Sequence, residues 1–253
     1  MIRSQPILPA GYRLVCYDSL GSTNHEAKRL AREGATDGTI VWAREQTAGR
    51  GRRGRVWVSP RGNLHASLIL RPQCSASGAA QLGFVAALAI GGALCRMLPR
   101  LRGLSYKWPN DVLVNGRKIA GILLESEATT PEGLAFLVVG VGINLSTSPS
   151  DTVYPATSVA EECAGGVTPE AMLAEFVAHF QLWEKRWREE GFAPVRAAWR
   201  AAAASPGEPL RVRLETNVLR GRFLDIDEQG ALLLETAGQH HRISAGEIVR
   251  PDR

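Results

Sequence analysis

Acidic side chains are missing from one long interval of this chain. No aspartate or glutamate lies between Glu45 and Asp111, and the same interval carries ten lysines and arginines. The formal charge of +5 therefore divides into +10 here and −5 elsewhere, where 20 basic residues meet 25 acidic ones. Positive potential is local, and a pI near 9.3 with only 6% aromatic residues does not by itself imply a nucleic-acid surface. Cysteine is scarce: Cys16, Cys74, Cys95 and Cys163 form no Cys-x-x-Cys pair, which fits free thiols in a reducing compartment. The five histidines lack ligand spacing, and the adjacent His240 and His241 would face opposite sides of a strand, so no structural metal is expected. Met1–Gly11 has no continuous apolar core of a signal peptide, and the apolar run Leu82–Leu94 is too short to span a bilayer. A soluble, cytoplasmic protein with no membrane partner follows.

What the interval does contain is Gln46 to Trp57, where Arg50, Arg52, Arg53 and Arg55 alternate with Gly49, Gly51 and Gly54. Glycine lets backbone amides approach a ligand, and guanidinium groups present planar donor forks to carboxylates and phosphates. The spacing Gly49-x-Gly51-x-x-Gly54 matches a dinucleotide-binding string, but Val56-Trp57-Val58-Ser59-Pro60 follows where a helix is required. A phosphate-binding P-loop is excluded as well, because Gly54 precedes Arg55-Val56 and not Lys-Ser/Thr. A solvated basic loop remains the competing reading of the segment taken alone.

Hydrophobic content of 45% over 253 residues supports one large domain with a small one. Tyr12–Tyr17 reads as a first strand. Thr23 and Glu26 have capping-box spacing for a helix that buries Ala27, Leu30 and Ala31 and ends near Gly34. Ser22-Thr23-Asn24 is then either a set of cap residues or a polar ligand set at a helix N-terminus. Thr39–Arg44, Val56–Val58 and Leu64–Leu70 read as strands, and Ala79–Leu98 as a buried helix stopped by Pro99. Leu104–Asp111, Val112–Val114 and Arg117–Glu125 follow, with Asn115-Gly116 as a type I′ hairpin signal. Lys107 stands two residues before Pro109, which holds Trp108 extended; it is either a fixed ammonium or an exposed lysine at a turn. Leu134–Asn144 is a buried strand whose Gly140 and Gly142 leave one face open to a backbone, a flat ligand or a packed sheet. Polar, loop-like sequence runs to Gly166, and Thr168-Pro169 opens a long helix with an apolar stripe from Leu173 to Trp187. A second helical stretch covers Phe192–Ala204. Ser205-Pro-Gly-Glu-Pro209 marks a boundary, dividing the chain into 1–204 and 205–253, and the short strands after it suit a small barrel.

Three segments together resemble the bacterial biotin protein ligases: Ser22-Thr23-Asn24, Gln46–Trp57 with its Gly-Arg-Gly-Arg-Arg-Gly core, and Lys107-Trp-Pro-Asn-Asp111 running into Lys118–Glu125. The resemblance implies an α+β fold: a mixed β-sheet with helices, related to class II aminoacyl-tRNA synthetases and lipoate ligases, followed by a small SH3-like barrel. It implies an ATP-dependent ligase that joins biotin and MgATP into biotinyl-5′-AMP and transfers the biotinyl group to a lysine of the biotin carboxyl carrier protein. Carried over by position, Ser22, Thr23, Asn24, Gln46, Arg50, Gly51, Arg52 and Lys107 contact biotin. Lys107 and Arg52 are the catalytic cations, while Arg53, Arg55, Trp57, Asn110 and Asn144 serve the nucleotide. Asp111 either positions magnesium or caps the hairpin. The family often forms homodimers through sheet edges. Some members carry an N-terminal DNA-binding domain, but with a first strand near Tyr12 a monofunctional enzyme without DNA binding is expected. A lipoate ligase-like acyltransferase and a nucleic-acid-binding module remain the alternatives.

Overall fold

Runs of β-branched and apolar residues, interrupted where glycine or proline turns the chain, set the order of strands. The computed structural model describes residues 6–130, 133–150, 152, 154–163, 166–204 and 207–249. In chain order the elements are β1 (Arg13–Tyr17), α1 (Thr23–Arg32), β2 (Thr39–Ala43), β3 (Leu64–Leu70), α2 (Ala76–Ala80), α3 (Leu82–Met97), β4 (Leu104–Lys107), β5 (Asp111–Val114), β6 (Arg117–Thr130) and β7 (Gly133–Ile143). After these come α4 (Val159–Glu162), α5 (Pro169–Glu190), α6 (Phe192–Ala201), β8 (Pro209–Arg213), β9 (Val218–Ile226), β10 (Leu232–Thr236), β11 (Gln239–Ile243) and β12 (Glu247–Val249).

Seven strands form one mixed sheet in the order β1-β2-β3-β7-β6-β5-β4, with β1 and β2 parallel and the other neighbours antiparallel. Five form a second, antiparallel sheet in the order β11-β10-β9-β8-β12. Because strand side chains alternate faces, β7 divides its residues cleanly. Leu137, Val139, Val141 and Ile143 enter the large core with α3, α5 and α6, whereas Phe136 and Val138 join Ala27 and Ala31 of α1 in a smaller cluster. Gly140 and Gly142 continue the α1 face, so packing stops there and a hollow begins.

α3 is apolar all round because it is buried almost all round: every residue from Leu82 to Gly91 is inaccessible. The stretch Ala76–Met97 is long and apolar enough to cross a membrane by length and composition, which the shorter reading of this run did not anticipate, but most of it is covered by protein. Ser75, whose hydroxyl accepts from the Gly78 amide, starts it earlier than the sequence suggested. The two sheets are joined through side chains. Trp108 donates its indole N–H to the Gly230 carbonyl at 3.0 Å, and Arg196 reaches Asp225 at 2.9 Å and the Ile226 carbonyl at 2.6 Å.

Four expectations change in detail. No capping box forms at Thr23: Ser22 is the N-cap residue, and Glu26 instead accepts from the Tyr17 hydroxyl at 2.6 Å and from Arg29. Val56–Val58 is not a strand, since only an isolated bridge ties Arg50 to Val56 and the loop folds on itself. The stretch before Gly166 contains α4, capped by Ser158, which is too short to show helical periodicity. β6 runs past Glu125 to Thr130. The hairpin at Asn115-Gly116 forms as read, with φ of 50° and 71°. Ser205 and Pro206 of the expected boundary lie outside the described residues.

Trp199, 2% exposed, packs edge-on to Phe84 at 5.4 Å and stacks on Tyr106 at 6.2 Å, joining α6 to α3 and β4. Trp199→Ala is expected to cost about 3–5 kcal/mol, read as a lower urea midpoint with an unchanged slope.

Candidate active site

The hollow over Gly140 and Gly142 is a cavity of about 390 Å³. Its floor is made of glycines on adjacent strands, Gly142 of β7 paired with Gly121 of β6. A methyl group at residue 142 would come within 2.4 Å of the Trp57 indole, and one at residue 121 within 3.1 Å of the same ring. The missing side chains are filled by Trp57, so part of the arginine loop lies on the sheet. Val56 and Val58 on either side of it are exposed.

The loop holds its own shape. The Trp57 amide donates to the Gly49 carbonyl at 2.9 Å and the Gly51 amide to the Arg55 carbonyl at 2.7 Å. Between them Arg52–Gly54 forms a single 3-10 turn whose reversal puts Arg53 at φ 55° and Gly54 at φ 73°, a left-handed pair that glycine relieves at its second position. Arginines fan out from this turn to the second sheet. Arg52 donates to the Gly246 carbonyl at 3.1 Å and to Asn110 at 3.4 Å, Arg53 to the Leu214 carbonyl at 3.3 Å, and Arg55 pairs with Glu247 at 2.7 Å. Burial pulls the Arg52 guanidinium below its usual range, partly offset by Asp111.

Opposite the loop, Lys107 ends β4 and Asp111 starts β5, with the cis Trp108–Pro109 peptide between them. Lys107, 4% exposed, pairs with Asp111 at 2.7 Å, donates to the Ile248 carbonyl at 3.2 Å and lies 4.3 Å from the Tyr154 ring centre. Lys118 takes the other Asp111 oxygen at 2.5 Å and stands 5.2 Å from the Trp57 ring centre. Burial alone would raise the Asp111 carboxyl, but Lys118 and Lys107 overcome it and hold the group down at about 2. Two ammoniums on one carboxylate leave a net positive charge facing the cavity.

The far end is neutral and hydrogen-bonded. The Thr23 amide donates to Gln46 Oε1 at 2.8 Å, and Gln46 Nε2 donates to Ser59 Oγ at 2.8 Å. Ser67 of β3, fully buried, links Thr23 and Asn24 at 2.8 and 2.6 Å. One end thus suits a polar neutral group and the other an anion.

Of the residues singled out in the sequence, Ser22, Thr23, Asn24, Gln46, Arg50, Gly51, Arg52, Arg55, Trp57, Lys107, Asn110 and Asn144 all line this cavity. Arg53 does not; its guanidinium is turned to the second sheet. Asn144 is tied to the Thr157 carbonyl at 3.0 Å and Asn110 to the Ile122 carbonyl at 2.7 Å, so both brace the wall as well as line it. Sequence reasoning assigned no role to Lys118, Tyr154 and Glu247, which line the cavity, or to Ser67, buried beside Thr23 and Asn24; Lys118 already stood in the motif that carries the resemblance. No cluster of three or more metal-ligating side chains occurs among the described residues.

A hollow with a polar neutral end, a cationic end and a glycine- and arginine-rich loop on its wall, seated on a mixed sheet beside a small antiparallel one, fits a carboxylate-activating ligase. The chain belongs to the biotin/lipoate A/B protein ligase family, whose model matches residues 17–144, and the biotin protein ligase C-terminal domain model matches residues 207–250. It is 46% identical over 232 residues to a biotin–[acetyl-CoA-carboxylase] ligase of Paracoccus denitrificans, covering 90% of this chain and 96% of that one. It is 36% identical to the bifunctional ligase/repressor BirA of Bacillus subtilis, covering 94% of this chain and 74% of that one. Among solved structures, biotin protein ligase from Aquifex aeolicus in complex with biotin and ATP superposes with a TM-score of 0.80 at 27% identity, covering 93% of this chain and 97% of that one.

Asp111 generates a pH prediction. Its carboxyl falls from 3.8 to about 2 on folding, so its contribution is complete above the unfolded value and fades as pH drops through the folded one. Asp111→Asn should be less stable than wild type by about 2 kcal/mol near pH 6. That gap should close as pH falls from about 4 toward 2, measured by urea unfolding across the range.

Proposed function

We propose that this protein is an ATP-dependent biotin–[biotin carboxyl carrier protein] ligase, with the cavity as its site and MgATP, biotin and the carrier lysine as substrates. The observation that carries the reading is the convergence of Arg52, Arg55, Lys107 and Lys118 on one end of a cavity whose other end is built from Thr23, Asn24 and Gln46. Two anions must meet in the first step, the biotin carboxylate and the triphosphate, and they repel each other. Fixed cations offset that repulsion and the charge that builds on phosphorus. The carboxylate oxygen bonds to the α-phosphorus as the bond to pyrophosphate breaks. In the second step the carrier lysine, as a free amine, attacks the acyl carbon and AMP leaves.

In this assignment Ser22, Thr23, Asn24 and Gln46 take biotin's ring system, and Arg50, Gly51 and Arg52 close over the adenylate. Lys107 stabilises the carboxylate and α-phosphate, while Arg55, Trp57, Asn110 and Asn144 border the nucleotide. Arg53, placed with the nucleotide by the resemblance, also donates to the Leu214 carbonyl and would anchor the loop to the second sheet. Asp111 acts as the counter-ion that holds two lysines apart. Residues 1–204 would form the catalytic unit and 205–253 the barrel. A cytoplasmic location suits four free cysteines, and β1, with a neighbour on one side only, offers a sheet edge for a homodimer. Size-exclusion chromatography with light scattering checks the dimer.

Biotin-dependent exchange of labelled pyrophosphate into ATP tests the reading, because a lipoate enzyme would be silent with biotin. Lys107→Ala should lower kcat for exchange by about 10²–10³-fold. Arg52→Gly removes a lid contact, so it should release biotinyl-AMP and label bystander lysines on added serum albumin. No more free adenylate than wild type would remove Arg52 from that role.

A further inference from the structure

Glu125 ends the Lys118–Glu125 segment, and none of the roles above uses it. It stands on β6 opposite Val138 of β7 and reaches across to α1. Lys28 ion-pairs with one of its oxygens, and Asn24, one helical turn earlier on the same face, donates Nδ2 to the other at 2.8 Å. Burial pushes the Glu125 carboxyl up, but Lys28 and Asn24 together bring it below its usual range, so it is an anion.

A carboxylate only accepts, and this fixes a chain of protons. Asn24 must turn its NH2 to Glu125, with the Leu123 carbonyl at 3.3 Å as second acceptor, and therefore turns Oδ1 to Ser67. Ser67 Oγ, 2.6 Å from that oxygen, has a single proton and gives it there. The Thr23 oxygen, 2.8 Å from Ser67, competes for that one proton with the closer Asn24 oxygen, which draws it away. Its own proton goes to Gln46 Oε1 at 3.0 Å, so a lone pair on it stays free to accept. Gly140 makes the arrangement possible, since a methyl group there would lie 2.0 Å from Asn24 Oδ1.

We propose that Glu125 is a positioning residue: acting through Asn24 and Ser67, it commits the Thr23 oxygen to accepting an N–H from the ligand, the polarity a cyclic urea requires. The inference rests on the biotin-ligase reading. Glu125→Gln keeps the shape but replaces an acceptor-only group with one that can also donate, leaving only the long 3.3 Å contact to the Leu123 carbonyl to orient the Asn24 amide, so the commitment is weakened. The variant should raise KM for biotin in the exchange reaction roughly tenfold, with kcat, KM for ATP and Tm close to wild type. Wild type should discriminate against biotin methylated on a ureido nitrogen, and Glu125→Gln should discriminate less. If Glu125→Gln fails to fold, Glu125→Ala, which removes the acceptor from Asn24 altogether, replaces it with the same expectations. An unchanged KM for biotin, an unchanged discrimination ratio, or equal losses in biotin and ATP kinetics would each overturn the proposal. A wild-type enzyme with no biotin-dependent exchange would instead overturn the ligase reading itself.

Discussion

Crowding cations around one cavity is electrostatically unfavourable, and everything else in this site follows from how that cost is met. No acidic residue lies within the arginine loop or between it and Asp111, so compensation comes from elsewhere in the fold. Asp111 supplies it for Lys107 and Lys118, and Glu247 for Arg55. Backbone carbonyls supply the rest: Gly246 for Arg52, Leu214 for Arg53 and Ile248 for Lys107. Three of these five partners belong to β12 or the turn before it, and a fourth, Leu214, immediately follows β8. The small sheet is therefore part of the active site's electrostatics. Its carboxylate at the cavity, Glu247, pairs with Arg55, and its backbone carbonyls accept from Arg52, Arg53 and Lys107.

The same economy governs the floor. β7 carries large side chains on its core face throughout, but its other face changes from Phe136 and Val138 to Gly140 and Gly142 within four residues of strand. Where the side chains are present, α1 packs; where they are absent, Trp57 and Asn24 descend to the backbone. A single strand thus ends the hydrophobic core and begins the binding site by a change of composition alone, with no break in its hydrogen bonding to β3 or β6. A ligand held there rests on a surface as rigid as the sheet.

Much of this was legible in the sequence because it depended on local pattern. Alternation placed β3 and β7, the Asn115-Gly116 turn set the β5–β6 hairpin, and the glycine–arginine string marked the loop. What was not legible depended on long-range pairing. Thr23 and Glu26 have capping-box spacing, but Gln46 and Tyr17, distant in sequence, offer these side chains better partners, and local spacing does not record them. Val56–Val58 has strand composition and lacks a strand; Trp57 instead lies over the backbone of Gly121 and Gly142, a contact that local composition does not record. Ser67 and Glu125 look like an ordinary small residue in a strand and an ordinary charge near a hairpin. Only the pairing of β3 and β6 with β7 brings them to the same end of α1.

The loop and the second sheet also constrain each other. Arg52 and Arg53 lie in one 3-10 turn and Arg55 directly follows it, and all three reach the C-terminal sheet, so movement of that turn away from the cavity breaks contacts to residues 214, 246 and 247 together. Each contact is modest and partly exposed, worth at most about 1 kcal/mol at the surface. Weak contacts that break together suit a lid that must both retain a labile acyl phosphate and open to admit a protein. A single strong, buried anchor would hold the intermediate equally well but would slow the second step, in which the carrier lysine has to enter. Arg53 and Arg55, both exposed, stand on the loop, whereas the buried Lys107 ends β4 and pairs with Asp111 at 2.7 Å on the sheet itself.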